Sequence, residues 1–412
     1  MPTSTTEDSE PRVYHASWIC PIAAPPIANG WVAMRGGRIT GVGGPASRPS
    51  SPAEDLGAVA VLPGLVNAHT HLELAPLRGL VPPATAFTAW VRALFAHRRP
   101  DDRPDTPEAQ VAIQTALDEM WESGTAVVGD ISNSLAAVGL LARSPLAGHV
   151  FHELLGFRVT DDAPVTASRA QRMALATSAG VRVGIAAHAP YSVSPELFRA
   201  VRAEADRLTP PLCSVHLGES LEELALLRDG TGPWRTMLEQ IGAWRADWQP
   251  PGCGPVEYLD RLGVLQPRTL VVHGVQFTDA DLSRLAARGA VLVTCPRSNV
   301  WVGVGPPPLD RFYASPVPVA LGTDSLASVA DLNLFAELAA ARTAAPAVPA
   351  RCLLESATLA GARALGFDDE YGSIETGKRA TLLAVALEGR PADVEEYLVR
   401  GIAPGQVSWI PS

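Results

Sequence analysis

Apolar strand-like runs alternating with helix-like runs predict an α/β fold: a (β/α)8 barrel of the TIM type, with a small β-sandwich module built from both chain ends. Three observations carry this. Eight runs in the middle of the chain are near-continuously apolar, the pattern of parallel strands buried on both faces. Helix-start signals recur between them. Shorter runs broken by Gly and Pro lie at both ends. At 412 residues, 47% hydrophobic and 18% charged, the chain exceeds one ordinary core unless that core is a large barrel with an added module.

Taken in order, the opening "MPTSTTEDSEPR" is polar and acidic, so it reads as a disordered tail and not as a signal peptide. The β module follows, with a turn at Gly36-Gly37. Residues 1–60 are assigned to tail and module, 61–365 to the barrel and 366–412 to the return to the module; Pro63-Gly64 marks the first crossing. The strand candidates are 60–69, 125–132, 149–156, 181–189, 212–219, 269–275, 290–296 and 317–324. Thr106-Pro107 and Ser194-Pro195 each pair an N-cap residue with a proline at the first helical position, and Thr278 with Asp281 gives a capping-box-like start. Residues 229–255 interrupt the rhythm and carry Trp234, Trp244 and Trp248. They read as an excursion over the barrel mouth or as a subunit contact, with exposed tryptophans at an interface the preferred reading.

Composition excludes several classes. A net charge of -10 argues against nucleic acid or an anionic membrane as partner. No apolar run reaches the roughly 20 residues that span a bilayer. Cys20, Cys213, Cys253, Cys295 and Cys352 are scattered and never form CxxC, which speaks against disulfides and a cysteine zinc site and for a reducing cytoplasm.

Barrel active sites lie at the C-terminal ends of the strands. His69 and His71 end the first; as i and i+2 residues they share a face. His188 ends the fourth, His216 and Glu219 the fifth, His273 the sixth and Asp324 the eighth. A lone histidine is more often a surface or core residue, and His15 and His97 read so. Five histidines and one aspartate at strand ends read instead as a metal site. Three imidazoles and a carboxylate suit zinc or another divalent transition ion, which makes hydroxide available at neutral pH. Glu219, just beyond the fifth strand, is badly placed as a ligand and well placed to protonate a substrate ring nitrogen.

The motifs "GLVNAHTHLEL", "SVHLGES", "VVHGV", "TCPRSN", "LGTDS" and "GSIETGKRA" resemble the amidohydrolase superfamily, in its branch of amino-group- and chloride-removing ring hydrolases. The resemblance spans nearly the whole barrel. It implies His69, His71, His216 and Asp324 as metal ligands, Asp324 also as proton acceptor, Glu219 as general acid/base, and His273 as the residue that holds the attacking water. It implies Ser298 and Asn299 near the substrate. Two-metal members bridge their ions with a barrel lysine; the single lysine here, Lys378, lies outside the barrel. One divalent metal per chain is therefore expected, zinc first, with iron or manganese open. Thr381 stands where the family usually has an aspartate after GKxA, a departure in the β module.

Within the branch, "NAHTHLEL", "GDISN" and "FHELLGF" resemble aminodeoxyfutalosine deaminases of menaquinone formation, which act on an adenine nucleoside-like substrate with a carboxyphenyl tail. That implies hydrolytic release of ammonia, with Glu73 and His188 as contacts to sugar or base and Arg158 or Arg78 as partner of the tail carboxylate. Glu73 reads equally as a partner of a ligand histidine, and Arg158 as a solvated loop residue. Other ring deaminases (adenosine, S-adenosylhomocysteine, guanine or pterin type) and triazine- or imidazolone-type hydrolases are the alternatives. A metal-free scaffold would have lost ligands, and none is lost. A homodimer is the family's habit.

Overall fold

The computed structural model describes residues 11–97, 104–175 and 180–411; of the expected tail at residues 1–12, residues 1–10 lie outside them and Arg12 instead opens a strand. Two four-stranded parallel sheets form the centre. The first joins Leu65–Thr70, Thr125–Ser132, Ala147–Leu154 and Val181–Ala187 in that order; the second joins Cys213–Leu217, Thr269–His273, Val291–Thr294 and Val319–Leu321. Backbone hydrogen bonds bridge the sheets at both seams: His216 N donates to His188 O at 2.8 Å, and Thr323 N donates to His69 O at 3.1 Å. Gly322 lets the second seam close, because a Cβ there would stand 2.8 Å from the His69 Cβ. Val66, Val127, Phe151, Val272, Val293 and Ala320, drawn from both sheets, share one buried apolar cluster.

Helices cover the sheets where the sequence placed their starts. Thr106 Oγ1 accepts from Ala109 N at the head of Pro107–Glu122, and Ser194 Oγ accepts from Leu197 N at the head of Pro195–Ala205. Thr278 and Asp281 form a full capping box on Asp279–Arg288.

Both chain ends meet in one seven-stranded mixed sheet. Its order is Val407–Trp409, Leu382–Ala386, Val59–Pro63, Arg12–Ile19, Ile27–Arg35 and Arg38–Gly43, with Ala53–Asp55 pairing Arg12–Ile19 off that path. The apolar run 60–69 thus splits at Gly64. Val59–Pro63 pairs with Leu382–Ala386 in the terminal sheet, while Leu65–Thr70 opens the first parallel sheet.

The tryptophan-rich segment corrects an expectation. Trp234 and Trp248 are buried, and Trp244 stacks on Phe157. The apolar surface of Trp234 and Trp248 is removed from water within the chain, and Trp244 is half-buried, so the three are not the exposed tryptophans expected. Among the described residues no helix is long and apolar enough to cross a membrane.

Candidate active site

The strand ends bring seven of the singled-out side chains to one place. Strand alternation puts His69 and His71 on one face, and the second seam sets Asp324 beside them: Asp324 Oδ1 lies 3.9 Å from His69 Nε2 and 3.6 Å from His71 Nε2. His216 Nε2 is 3.3 Å from His71 Nε2. Ligand nitrogens of His69, His71 and His216 all fall within 4.8 Å of one another. His69 is fully buried, yet neither ring nitrogen has a hydrogen-bond partner. A cation satisfies such an orphaned nitrogen, and this donor set suits a divalent transition ion. Burial, reinforced by the neighbouring imidazoles, holds His69 well below the ordinary histidine range. Burial, with His71 next, brings His216 down to about 4. Neutral imidazoles are what metal binding requires.

Asp324 has a left-handed backbone, φ 61°. Its Oδ2 accepts from Ser298 Oγ at 2.5 Å and Ser328 Oγ at 3.1 Å, which leaves Oδ1 to face the imidazoles. Glu219 follows Gly218, whose φ of 62° and contact with Phe277, 2.2 Å from a built Cβ, exclude any side chain. The buried carboxylate of Glu223 accepts from Gly218 N at 3.0 Å and Glu219 N at 3.2 Å, fixing this turn. Burial, then the charges of Asp324 and Glu223, push the Glu219 carboxyl well above its usual range. Glu219 Oε1 stands 3.6 Å from His273 Nε2. His273, also left-handed at φ 77°, meets Asn299 Nδ2 through Nδ1 at 3.0 Å. Burial and the other imidazoles keep His273 and His188 well below the ordinary range.

His71, His188, His216, Glu219, His273 and Asp324 floor a cavity of about 220 Å³. Phe87, Trp90, Tyr191 and Trp234 form its aromatic wall, with Tyr191 and Trp234 stacked at 3.8 Å. Glu73 and His188 line it as expected. The Glu73 carboxylate, however, already accepts from Ser132 Oγ, Asn133 N, Ser134 N and Ser134 Oγ. Ser298 and Asn299 are not among the lining residues; they stand behind Asp324 and His273. Arg158 donates to Gly242 O at 3.0 Å, and Arg78 pairs with Glu119 beside a different cavity. Neither is among the residues that line this cavity. Sequence reasoning passed over Glu153, Asn133 and Tyr191, which also line the cavity. The signal available for Glu153 was its place at the end of the third strand, inside "FHELLGF".

An amidohydrolase family model matches residues 60–405, and the chain belongs to that family. An aminodeoxyfutalosine deaminase of Deinococcus radiodurans is 34% identical over 333 residues, 77% of this chain and 76% of that protein. A 5-methylthioadenosine/S-adenosylhomocysteine deaminase of Moorella thermoacetica is 31% identical over 399 residues, 92% of this chain and 88% of that one. Among solved structures, an adenosine deaminase from Xanthomonas campestris with bound zinc superimposes with a TM-score of 0.80 at 28% identity, covering 96% of this chain and 90% of that one. The chain is accordingly an enzyme of the hydrolytic class that cleaves C–N bonds other than peptide bonds, a deaminase.

Proposed function

We propose that the protein deaminates an adenine nucleoside carrying a bulky 5′ group, with the tail of aminodeoxyfutalosine as the first reading. The observation that carries it is the aromatic wall of Phe87, Trp90, Tyr191 and Trp234 directly above the His/Asp cluster and Glu219: purine and phenyl rings both stack on such a surface. The similarity to the Deinococcus enzyme supports it.

In this proposal His69, His71, His216 and Asp324 hold one divalent ion, zinc first, which when bound supplies Lewis-acid activation of water. Glu219 enters protonated and gives its proton to the ring nitrogen beside the carbon that carries the amine. Asp324, steadied by Ser298 and Ser328, takes one proton from the attacking water and returns it to the departing ammonia, and the second proton of that water restores Glu219. His273 Nε2 orients that water, its own ring fixed by Asn299. His188 faces the substrate, and Glu73 shapes the cavity by holding residues 132–134. The two parallel sheets then act as halves of one (β/α)8 barrel, and the seven-stranded sheet as a sandwich-like module closed by both chain ends. The strand Val59–Pro63 argues that the crossing falls at Gly64.

A second reading has its own support. Among the described residues no Arg or Lys lines the cavity, so a tail without a carboxylate, as in 5-methylthioadenosine, fits as well. Ammonia release measured with zinc-loaded protein on aminodeoxyfutalosine, methylthioadenosine, adenosine, S-adenosylhomocysteine and guanine separates them. The first reading expects the highest kcat/KM for aminodeoxyfutalosine. A higher value for methylthioadenosine installs the second, and turnover of guanine alone removes both.

A further inference from the structure

His216 uses its two nitrogens differently. Its Nδ1 lies 3.2 Å from the backbone carbonyl of His188. A carbonyl only accepts, so Nδ1 carries the proton and Nε2 keeps a lone pair, directed at the nitrogen cluster with His71. Glu153 Oε1 stands 3.4 Å from that same Nδ1. The carboxylate is itself held, since Asn133 Nδ2 donates to Glu153 Oε2 at 2.9 Å and to the Glu153 backbone carbonyl at 3.1 Å. It is buried, at 4% exposure, and comes from the third strand, whereas His216 comes from the fifth.

We infer that Glu153 is a positioning residue for the metal site: its carboxylate, anchored by Asn133, faces the Nδ1–H edge of His216, supports the ring orientation and tautomer that His188 O selects and raises the basicity of Nε2. The Nδ1 hydrogen bond goes to His188 O, and the carboxylate oxygen stands beside it at 3.4 Å; a carboxylate against the distal nitrogen of a ligand imidazole acts in this way. The inference rests on the reading of His216 as a metal ligand. Glu153, His188 and His216 also offer three ligand atoms within 4.8 Å of one another, so the competing role for Glu153 is that of a direct ligand to a second cation.

The test titrates Zn²⁺ against a chromophoric chelator on metal-free wild-type protein and the Glu153→Gln, Glu153→Ala and His216→Ala variants. Visible spectra of the Co²⁺-loaded forms report ligand geometry. Glu153→Ala is expected to bind Zn²⁺ about 10- to 100-fold more weakly. Glu153→Gln, which keeps an acceptor oxygen without the charge, should lose less. Co²⁺ spectra should shift, and KM should stay within about two-fold. Should the alanine variant fail to fold, the near-isosteric glutamine variant carries the test. Unchanged Zn²⁺ affinity with a raised KM overturns the inference and makes Glu153 a substrate contact. Two equivalents of Zn²⁺ in wild type and one in Glu153→Ala overturn it in favour of a direct ligand. Wild-type protein that binds no Zn²⁺, or His216→Ala that binds it undiminished, removes the metal-site reading itself and this inference with it.

Discussion

The two ends of the parallel sheets each carry a cavity, and the larger is the less promising. At the strand N-termini, Arg268, Val291, Val319, Tyr313, Cys352 and Arg363 line a space of about 460 Å³. At the C-termini the space is about 220 Å³. The difference lies in the ionisable groups. In the lower cavity Arg363 pairs with Glu355 at 3.2 Å with its side chain 56% exposed, and Tyr313 Oη donates to Ser356 Oγ. In the upper one Glu219, Glu153, His273 and Asp324 are all buried, and burial raises the Glu219 and Asp324 carboxyls above their ordinary range and lowers the His273 imidazole below its own. Groups kept in costly states by their surroundings mark a reactive site better than volume does.

The sharpest way to break this contrast is Glu219→Gln. The amide cannot deliver a proton, so kcat should fall by about 10³-fold or more, with zinc content by elemental analysis unchanged. Wild-type turnover in that variant would remove the proton-transfer role.

Burial of histidine is not confined to the upper end. His149, near the start of Ala147–Leu154, stacks on Phe151 at 4.3 Å, and neither of its ring nitrogens has a hydrogen-bond partner. Burial, then the charge of Arg182, pushes it down to about 3 from 6.5. Folded protein therefore keeps it neutral, while unfolded chain protonates it below pH 6.5. The unfolded state binds more protons, so this contribution to stability declines as pH falls from 6.5 toward 3. At pH 5 the loss is about 2 kcal/mol relative to neutral pH. Urea unfolding at pH 7.5 and 5 should show that much less pH dependence in His149→Leu than in wild type. Coincident pH dependences would mean that His149 is not a neutral buried group.

Trp234→Ala tests the wall instead of the floor. Losing the face stacked on Tyr191 and packed edge-on against Phe87 should lower kcat/KM for a tailed nucleoside about 10-fold. Unsubstituted adenosine should lose less. Equal losses on both substrates would place Trp234 under the purine and not the tail.

How far the sequence reached follows from what each feature depends on. Capping residues act on their own helix, so Thr106, Ser194 and Thr278 were legible. His69, His71, His216, His273 and Asp324 were legible because apolar runs mark strands and strand ends converge in any such barrel. What stayed hidden depends on distant partners. Trp234 is covered by Tyr191 and Phe87, which no local pattern announces. Ser298 and Asn299 lay in the expected loop, but their targets, Asp324 and His273, are set by left-handed backbones that periodicity does not reveal. Arg158 read as a mouth residue, and only the fold supplies its partner, Gly242. The run 60–69 is near-continuously apolar, and only its Pro63-Gly64 step marked where one sheet ends and another begins.

The smallest effect is expected at the lower cavity, and it tests the contrast from the other side. Arg363→Ala removes a solvent-exposed ion pair with Glu355. Such pairs contribute about 0–1 kcal/mol, since high dielectric weakens the attraction and two long side chains must be ordered to make it. The variant should lose no more than that in urea unfolding and keep kcat/KM within about two-fold, because no charge from this cavity lines the upper one. A ten-fold fall in kcat/KM with stability intact would show that the strand N-termini influence the chemistry at the opposite end. Burial of ionisable groups would then no longer suffice to separate the working end of this molecule from the merely hollow one.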